Sequence, residues 1–126
     1  MNKNVLIVED EALVALLLKS FIERNGHTVV DSVMSGEEAM EIAKTDDIDI
    51  ILMDVNLAGI LNGIETIKKI KQFKEVLFAY MTAYTDDENI LKMKQTEPVK
   101  IISKPIRIDE VLELLNCESL GDSINS

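Results

Sequence analysis

Apolar residues along this chain follow two alternating rhythms: short unbroken runs, and longer stretches that repeat about every fourth position. Val5-Leu6-Ile7-Val8 is a branched apolar run that stops at Glu9-Asp10-Glu11, as a strand buried on both faces would. The period then changes. Leu13, Leu17 and Phe21 recur every fourth residue beside Val14, Leu18 and Ile22, which predicts a helix of about four turns with a wide apolar face. Asn25-Gly26 supplies its C-terminal stop. His27 to Val33 predicts a second strand, and Ser35-Gly36-Glu37-Glu38 has capping-box spacing ahead of Ala39, Ile42 and Ala43.

Asp49-Ile50-Ile51-Leu52-Met53 predicts a third buried strand, closed by an acid, Asp54. An apolar loop from Asn56 to Leu61 with Gly59 leads to Asn62-Gly63-Ile64-Glu65, an Asn cap with Glu three residues on, followed by Ile67 and Ile70. Val76 to Met81 predicts the fourth strand. Thr85-Asp86-Asp87-Glu88 repeats the capping pattern before Ile90, Leu91 and Lys94, and Pro98 punctuates. Val99 to Ser103 is the fifth strand, Lys104-Pro105 breaks it, and Asp109 opens a last helix with Val111, Leu112 and Leu115. Five continuous apolar strands alternating with five helices predict an α/β fold, a parallel sheet covered on both faces.

The length of 126 residues and an apolar content of 47% suit one domain with one core. We place that domain at residues 1–117 and read the polar segment from Glu118 to Ser126, with Gly121 and three serines, as a tail or the start of a linker. A formal charge of −10 repels phosphate backbones and anionic membrane surfaces, which argues against direct nucleic-acid or membrane binding. The single cysteine, Cys117, has no second thiol for an internal disulfide or a metal cage, which fits a reducing, cytoplasmic compartment. Neither a signal-peptide layout nor a membrane-spanning apolar run is present in the sequence.

In a doubly wound sheet, ligands bind beyond the carboxyl ends of the strands, where the winding reverses. The polar strand-end residues obey that rule: Glu9 and Asp10 follow strand one, Asp54 closes strand three, Thr82 follows strand four and Lys104 follows strand five. Three carboxylates brought together repel one another unless a hard divalent cation with oxygen ligands, such as Mg²⁺, holds them ionised. A lysine and a threonine facing that cation are suited to a phosphoryl group, one by charge and the other by donating to a nonbridging oxygen. The pattern points to phosphoryl transfer onto a carboxylate.

At these residues the chain resembles the receiver domains of two-component response regulators. The matching pieces are Val5 to Glu11, Leu52-Met53-Asp54-Val55-Asn56-Leu57, Met81-Thr82-Ala83 and Lys104-Pro105, in order and spread over nearly the whole chain. The resemblance implies a flavodoxin-like doubly wound sheet of five parallel strands in the order 2-1-3-4-5 with five flanking helices. It implies that Asp54 is the phosphoacceptor, that Asp10, Asp54 and the backbone carbonyl of Asn56 bind Mg²⁺ directly, and that Glu9 acts mainly through water. Lys104 would bond the carboxylate and then the phosphoryl group, Thr82 would move to meet it, and Lys104-Pro105 would be a cis peptide. The implied partners are a sensor histidine kinase or phosphotransfer protein, docking on helix one and the loop after Lys104, and a downstream protein or output domain. Self-association into a homodimer stays open. Such a module switches its own state through phosphorylation and dephosphorylation; it is not a turnover enzyme on external substrates.

Three positions depart from the family pattern. Ile101 stands where an aromatic residue usually turns inward with the threonine, Ala58 stands where proline is common, and Tyr84 is a bulky residue where access of hydrolytic water is tuned, which implies slowed self-dephosphorylation. Two other functions compete with the phospho-switch: a receiver-like interaction module that never sees phosphate, which would lack Asp54, Asp10 or Lys104, and a haloacid-dehalogenase-type phosphatase. That phosphatase wants an acid two residues after its nucleophile, where this chain has Asn56. Ordinary roles fit the remaining polar residues: His27 at the surface, the methionines filling core gaps, and Lys68, Lys69, Lys71 and Lys74 as a solvated basic face.

Overall fold

Strands and helices alternate without exception in the computed structural model, which describes residues 2–57 and 61–117. Strands β1 (Asn4–Val8), β2 (Thr28–Val33), β3 (Ile50–Asp54), β4 (Leu77–Thr82) and β5 (Lys100–Ser103) form one sheet in the order β2-β1-β3-β4-β5. Every pairing is parallel, and the winding reverses at β1 and β3. Helices α1 (Ala12–Arg24), α2 (Gly36–Thr45), α3 (Gly63–Ile70), α4 (Asp87–Gln95) and α5 (Ile108–Leu115) supply the crossovers. The five-stranded, doubly wound architecture predicted from the sequence is the one observed. The predicted segment 58–60, with Ala58 and Gly59, and the tail from Glu118 lie outside the described residues.

Alternation of side chains along each strand divides the core in two. Leu6, Val8, Ile51, Met53, Phe78 and Tyr80 face Ala39 and Ala43 of α2, Ile67 and Ile70 of α3 and Met93 of α4. Val5, Ile7, Ile50, Leu52, Met81 and Ile102 face Ala15, Leu18 and Ile22 of α1 and Val111 and Leu115 of α5. Burial on both faces explains why the strands contain few polar positions, and why those at their C-terminal ends stand out.

Local capping starts three of the helices. The Ser35 hydroxyl accepts from the Glu38 N–H at 3.2 Å, and Asn62 with Glu65 completes a reciprocal capping box. For α4 the cap is Asp86, one residue later than the Thr85 pattern suggested, accepting from the Asn89 N–H at 3.1 Å. The last helix begins at Ile108 after Arg107, so Asp109 lies in its first turn rather than opening it. Gly26, at φ 89°, makes the left-handed exit from α1 that the Asn25-Gly26 pair predicted.

Three expectations are corrected by the packing. The wide apolar stripe of α1 is only partly covered: Ala15, Leu18 and Ile22 are buried, while Leu13, Leu16 and Leu17 stay exposed at 69%, 62% and 51%. His27 is buried, not superficial. Its Nδ1 accepts the Lys3 N–H at 3.0 Å, which leaves Nε2 as the proton carrier facing Asn116 Oδ1 at 2.7 Å and joins α5 to the start of the sheet. Lys74 is half-buried, and Lys71, although exposed as expected, joins it in capping a neighbouring helix end. Lys71 Nζ donates to Thr96 O at 2.8 Å, and Lys74 Nζ donates to Ala43 O at 3.0 Å and also to Asp46 O.

Candidate phosphoacceptor site

Parallel register places the site. Val8 pairs with Met53, and Asp54 with Met81, so β1, β3 and β4 end at nearly the same height and release Glu9, Asp54 and Thr82 on one edge. Carboxylate oxygens of Glu9, Asp10 and Asp54 lie within 4.8 Å of one another. Lys104, reached by the chain just after β5, brings its Nζ to 3.2 Å from Asp54 Oδ2 and 3.0 Å from Glu9 Oε1. The Lys104-Pro105 peptide is cis, as the sequence resemblance implied.

Burial makes this cluster electrostatically tense. Glu9 is fully buried and Asp54 only 2% exposed, so both carboxylates lack water to spread their charge. Desolvation first, then the adjacent Glu9, push the Asp54 carboxyl up to about 7 against the opposing pull of Lys104 and the Asn56 N–H. For Glu9 burial also works against the charge, but Asp54, the Glu11 N–H and Lys104 outweigh it and hold the group below its ordinary range. Burial likewise opposes the Lys104 ammonium, and bonding to Glu9 and the charge of Asp54 prevail, pushing it upward. As pH falls the pair therefore takes up its first proton mainly on Asp54.

The donor set fits a hard cation. Glu9 Oε1, although ion-paired with Lys104, has no hydrogen-bond partner at suitable angles, an unsatisfied anionic oxygen in a buried position. The candidate ligand atoms grouped with it are the carboxylate oxygens of Asp10 and Asp54, the chemistry of an oxygen-ligated divalent site rather than of a thiolate or imidazole one.

Neighbouring bonds fix the reacting groups. Asp54 Oδ1 accepts the Asn56 N–H at 3.0 Å, which aims the carboxylate, and Glu9 Oε2 accepts the Glu11 N–H at 3.1 Å. Gly63 lets α3 start directly under β3: a Cβ there would lie 2.2 Å from Asp54 O. The Thr82 hydroxyl, buried, accepts the Tyr84 N–H at 2.9 Å. Tyr84 in turn reaches across the edge and donates its hydroxyl to Asn56 Oδ1 at 2.6 Å. The sequence marked Asn56 for its carbonyl and Tyr84 for its bulk. Their side-chain bond, between residues 28 positions apart, had no local signal.

The response regulator receiver domain family model matches residues 5–116. The chain is a response regulator receiver domain. Among curated relatives, this receiver is 39% identical to the alkaline phosphatase synthesis transcriptional regulatory protein PhoP of Bacillus subtilis over 70% of the chain, and it spans only 36% of that protein's length. It is 30% identical to sporulation initiation phosphotransferase F of the same organism, over 88% of the chain and 89% of the relative. Among solved structures, the signal receiver domain of a modulated diguanylate cyclase from Desulfovibrio desulfuricans G20 superposes with a TM-score of 0.88 at 28% identity, covering 100% of both chains. The receiver acts in two-component signal transduction. No helix among the described residues is long and apolar enough to cross a membrane.

Proposed function

We propose that this receiver accepts a phosphoryl group on Asp54 from a phosphohistidine donor. The observation that carries this reading is the Asp54 carboxylate at the end of β3, aimed by the Asn56 N–H and 3.2 Å from Lys104 Nζ, within one cluster with Glu9 and Asp10. An Asp54 oxygen attacks phosphorus, the P–N bond of the donor breaks, and the imidazole leaves. Lys104 offsets charge on the transferred group, and the Thr82 hydroxyl donates to one of its oxygens. Asp10, Asp54, the Asn56 carbonyl and Glu9, the last mainly through water, would hold Mg²⁺, which supplies charge neutralisation at the phosphoryl oxygens when bound. The carboxylate reacts only when deprotonated, so any proton on Asp54 must leave first. Because the acceptor is the protein itself, the site is a switch and not a turnover enzyme.

The donor docks on α1 and the loop after Lys104. Val14, Leu17, Phe21, Pro105, Ile106 and Ile108 line a cavity of about 770 Å³ directly beside Lys104. Its lining is largely apolar and Leu17 remains half exposed, which suits a helical partner face. Tyr84, bonded to Asn56 over the site, slows hydrolysis of the phosphorylated form. Downstream fates differ among relatives, one named a transcriptional regulator and another a phosphotransferase. Both a tethered output domain and a further phosphotransfer protein fit this chain as recipients. We take residues 1–117 as the receiver unit and the segment from Glu118 as a tail or linker.

The test is incubation with Mg²⁺ and acetyl phosphate followed by intact-mass measurement. A base-labile acyl phosphate, one per chain and absent from Asp54→Ala, is expected. Modification that persists in Asp54→Ala would defeat the assignment, and continuous release of phosphate from esters would favour a phosphatase instead.

A further inference from the structure

The two ends of α4 are attached to different things. At its C-terminal end, Thr96 is the meeting point of several bonds. Its hydroxyl donates to Met93 O at 2.7 Å, so its single proton is committed, and the Tyr80 hydroxyl 2.6 Å away must be the donor to Thr96 Oγ1. Burial pushes the Tyr80 hydroxyl up to about 12, which keeps that donor protonated. The Thr96 carbonyl accepts Lys71 Nζ at 2.8 Å, and the same ammonium lies 5.6 Å from the centre of the Phe78 ring. Met93, the one buried residue of α4, is fully buried one turn before Thr96. Just beyond, the Val99 N–H donates to Phe78 O at 2.9 Å, tying the exit from the helix to β4.

At the other end the attachments lead to the reacting residues. The Tyr84 N–H donates to the Thr82 hydroxyl and the Tyr84 hydroxyl to Asn56, while the Asp86 cap bonds only within the helix itself. In the first half of α4 no side chain is fully buried: Ile90 is half-buried against the core, and Leu91 is 58% exposed. Moreover, Tyr80 stands in register with Ile101. The aromatic ring missing from β5 is therefore present on the neighbouring strand, but its hydroxyl is locked to the helix end and cannot swing.

We propose that Thr96, held by Tyr80 and Lys71, is the fixed fulcrum of α4, and that displacement of Thr82 swings the Asp87 end of the helix about it. A rod about 13 Å long, pinned at one end and pulled at the other, moves most at its free end. The surface that changes is then the half carrying Ile90 and Leu91, while Lys94 and Lys100 stay in place. The proposal rests on the Asp54 switch reading and explains how a receiver with Ile101 transmits the change.

Backbone amide NMR of the full chain with Mg²⁺ and beryllofluoride, a phosphoryl mimic, tests it. In the wild type, amides of Asp54 and Asn56 and of residues 86–91 should shift, and those of residues 93–97 should not. In Tyr80→Phe the Asp54 response should persist, exchange at residues 93–97 should rise about fivefold, as loss of one buried hydrogen bond implies, and the ligand-induced shifts should spread to those residues. Thr96→Ser, which keeps the hydroxyl and both of its bonds, should leave the wild-type boundary unmoved. Should Tyr80→Phe fail to fold, Thr96→Val is read in the same way. Wild-type shifts as large at 93–97 as at 86–91, or an unmoved boundary in Tyr80→Phe, would overturn the fulcrum while leaving Asp54 phosphorylation intact. No response at Asp54 in the wild type would overturn the switch reading, and the fulcrum with it.

Discussion

Asp54→Asn isolates the cost of ionising the buried pair. In the wild type the Asp54 carboxyl is displaced from its ordinary 3.8 to about 7, so the folded state binds its proton more tightly than the unfolded chain does. The sign follows: the stabilisation is fully present below the ordinary value and is lost as pH rises through about 7. At about 1.4 kcal/mol per pH unit, the displacement corresponds to on the order of 4 kcal/mol. With only 2% of the residue exposed, solvent screening removes little of it. Asparagine does not titrate, keeps an oxygen for the Asn56 N–H, and presents an amide that can donate to Glu9 Oε1, which has an ion pair but no hydrogen bond. Relative to the wild type, Asp54→Asn should therefore gain stability between pH 5 and pH 8, by roughly 2–4 kcal/mol. Urea unfolding followed by circular dichroism in EDTA, repeated at half-unit pH steps, measures the difference directly. Saturating Mg²⁺ should shrink the gap at pH 8 by stabilising the wild type more. Two stability curves that run parallel across this range would refute the account of a buried proton held on Asp54.

The same proton should make Mg²⁺ affinity fall as pH drops below about 7, the value for Asp54. By calorimetry the loss should approach about tenfold per pH unit, and in a series of buffers one proton should be released per ion bound. Gly63→Ala drives a methyl group to 2.2 Å from Asp54 O, and because a backbone carbonyl cannot step aside, thermal unfolding should show a loss of about 3 kcal/mol. Leu17→Asp, on the exposed apolar side of α1, should slow phosphotransfer from a histidine kinase while leaving labelling by acetyl phosphate at the wild-type rate; equal slowing of both would remove α1 from donor docking. Tyr84→Ala opens the bond over Asn56 and should speed loss of the acyl phosphate severalfold, read as the decay of the phosphorylated mass in EDTA-quenched time points.

Fold and site edge were written locally. Runs such as Val5 to Val8 and Ile50 to Met53 are apolar on both faces because both faces are covered, and an acid following such a run can lie only at its end. Asn62 and Glu65 cap α3 through bonds spanning three residues, a distance at which sequence and geometry coincide. Given alternating strands and helices, the winding rule then gathers Glu9, Asp10, Asp54, Thr82 and Lys104 without further information.

Periodicity could not decide which side of each element a neighbour would reach. Leu13 and Leu17 continue the α1 stripe, yet α5 and the sheet cover only part of it, so the sequence overstated the core. His27 finds Asn116 across 89 residues, Lys71 finds Thr96 across 25, and Tyr80 finds Thr96 across 16, each from a different element. Such bonds exist only after the chain has closed on itself, as does the raised Asp54 carboxyl, which owes its shift first to its own burial and then to Glu9 beside it. The sequence by itself determined which groups assemble, because strand ends are set by local pattern; the tertiary structure alone decided how strongly they interact, because desolvation and pairing depend on what closes over them.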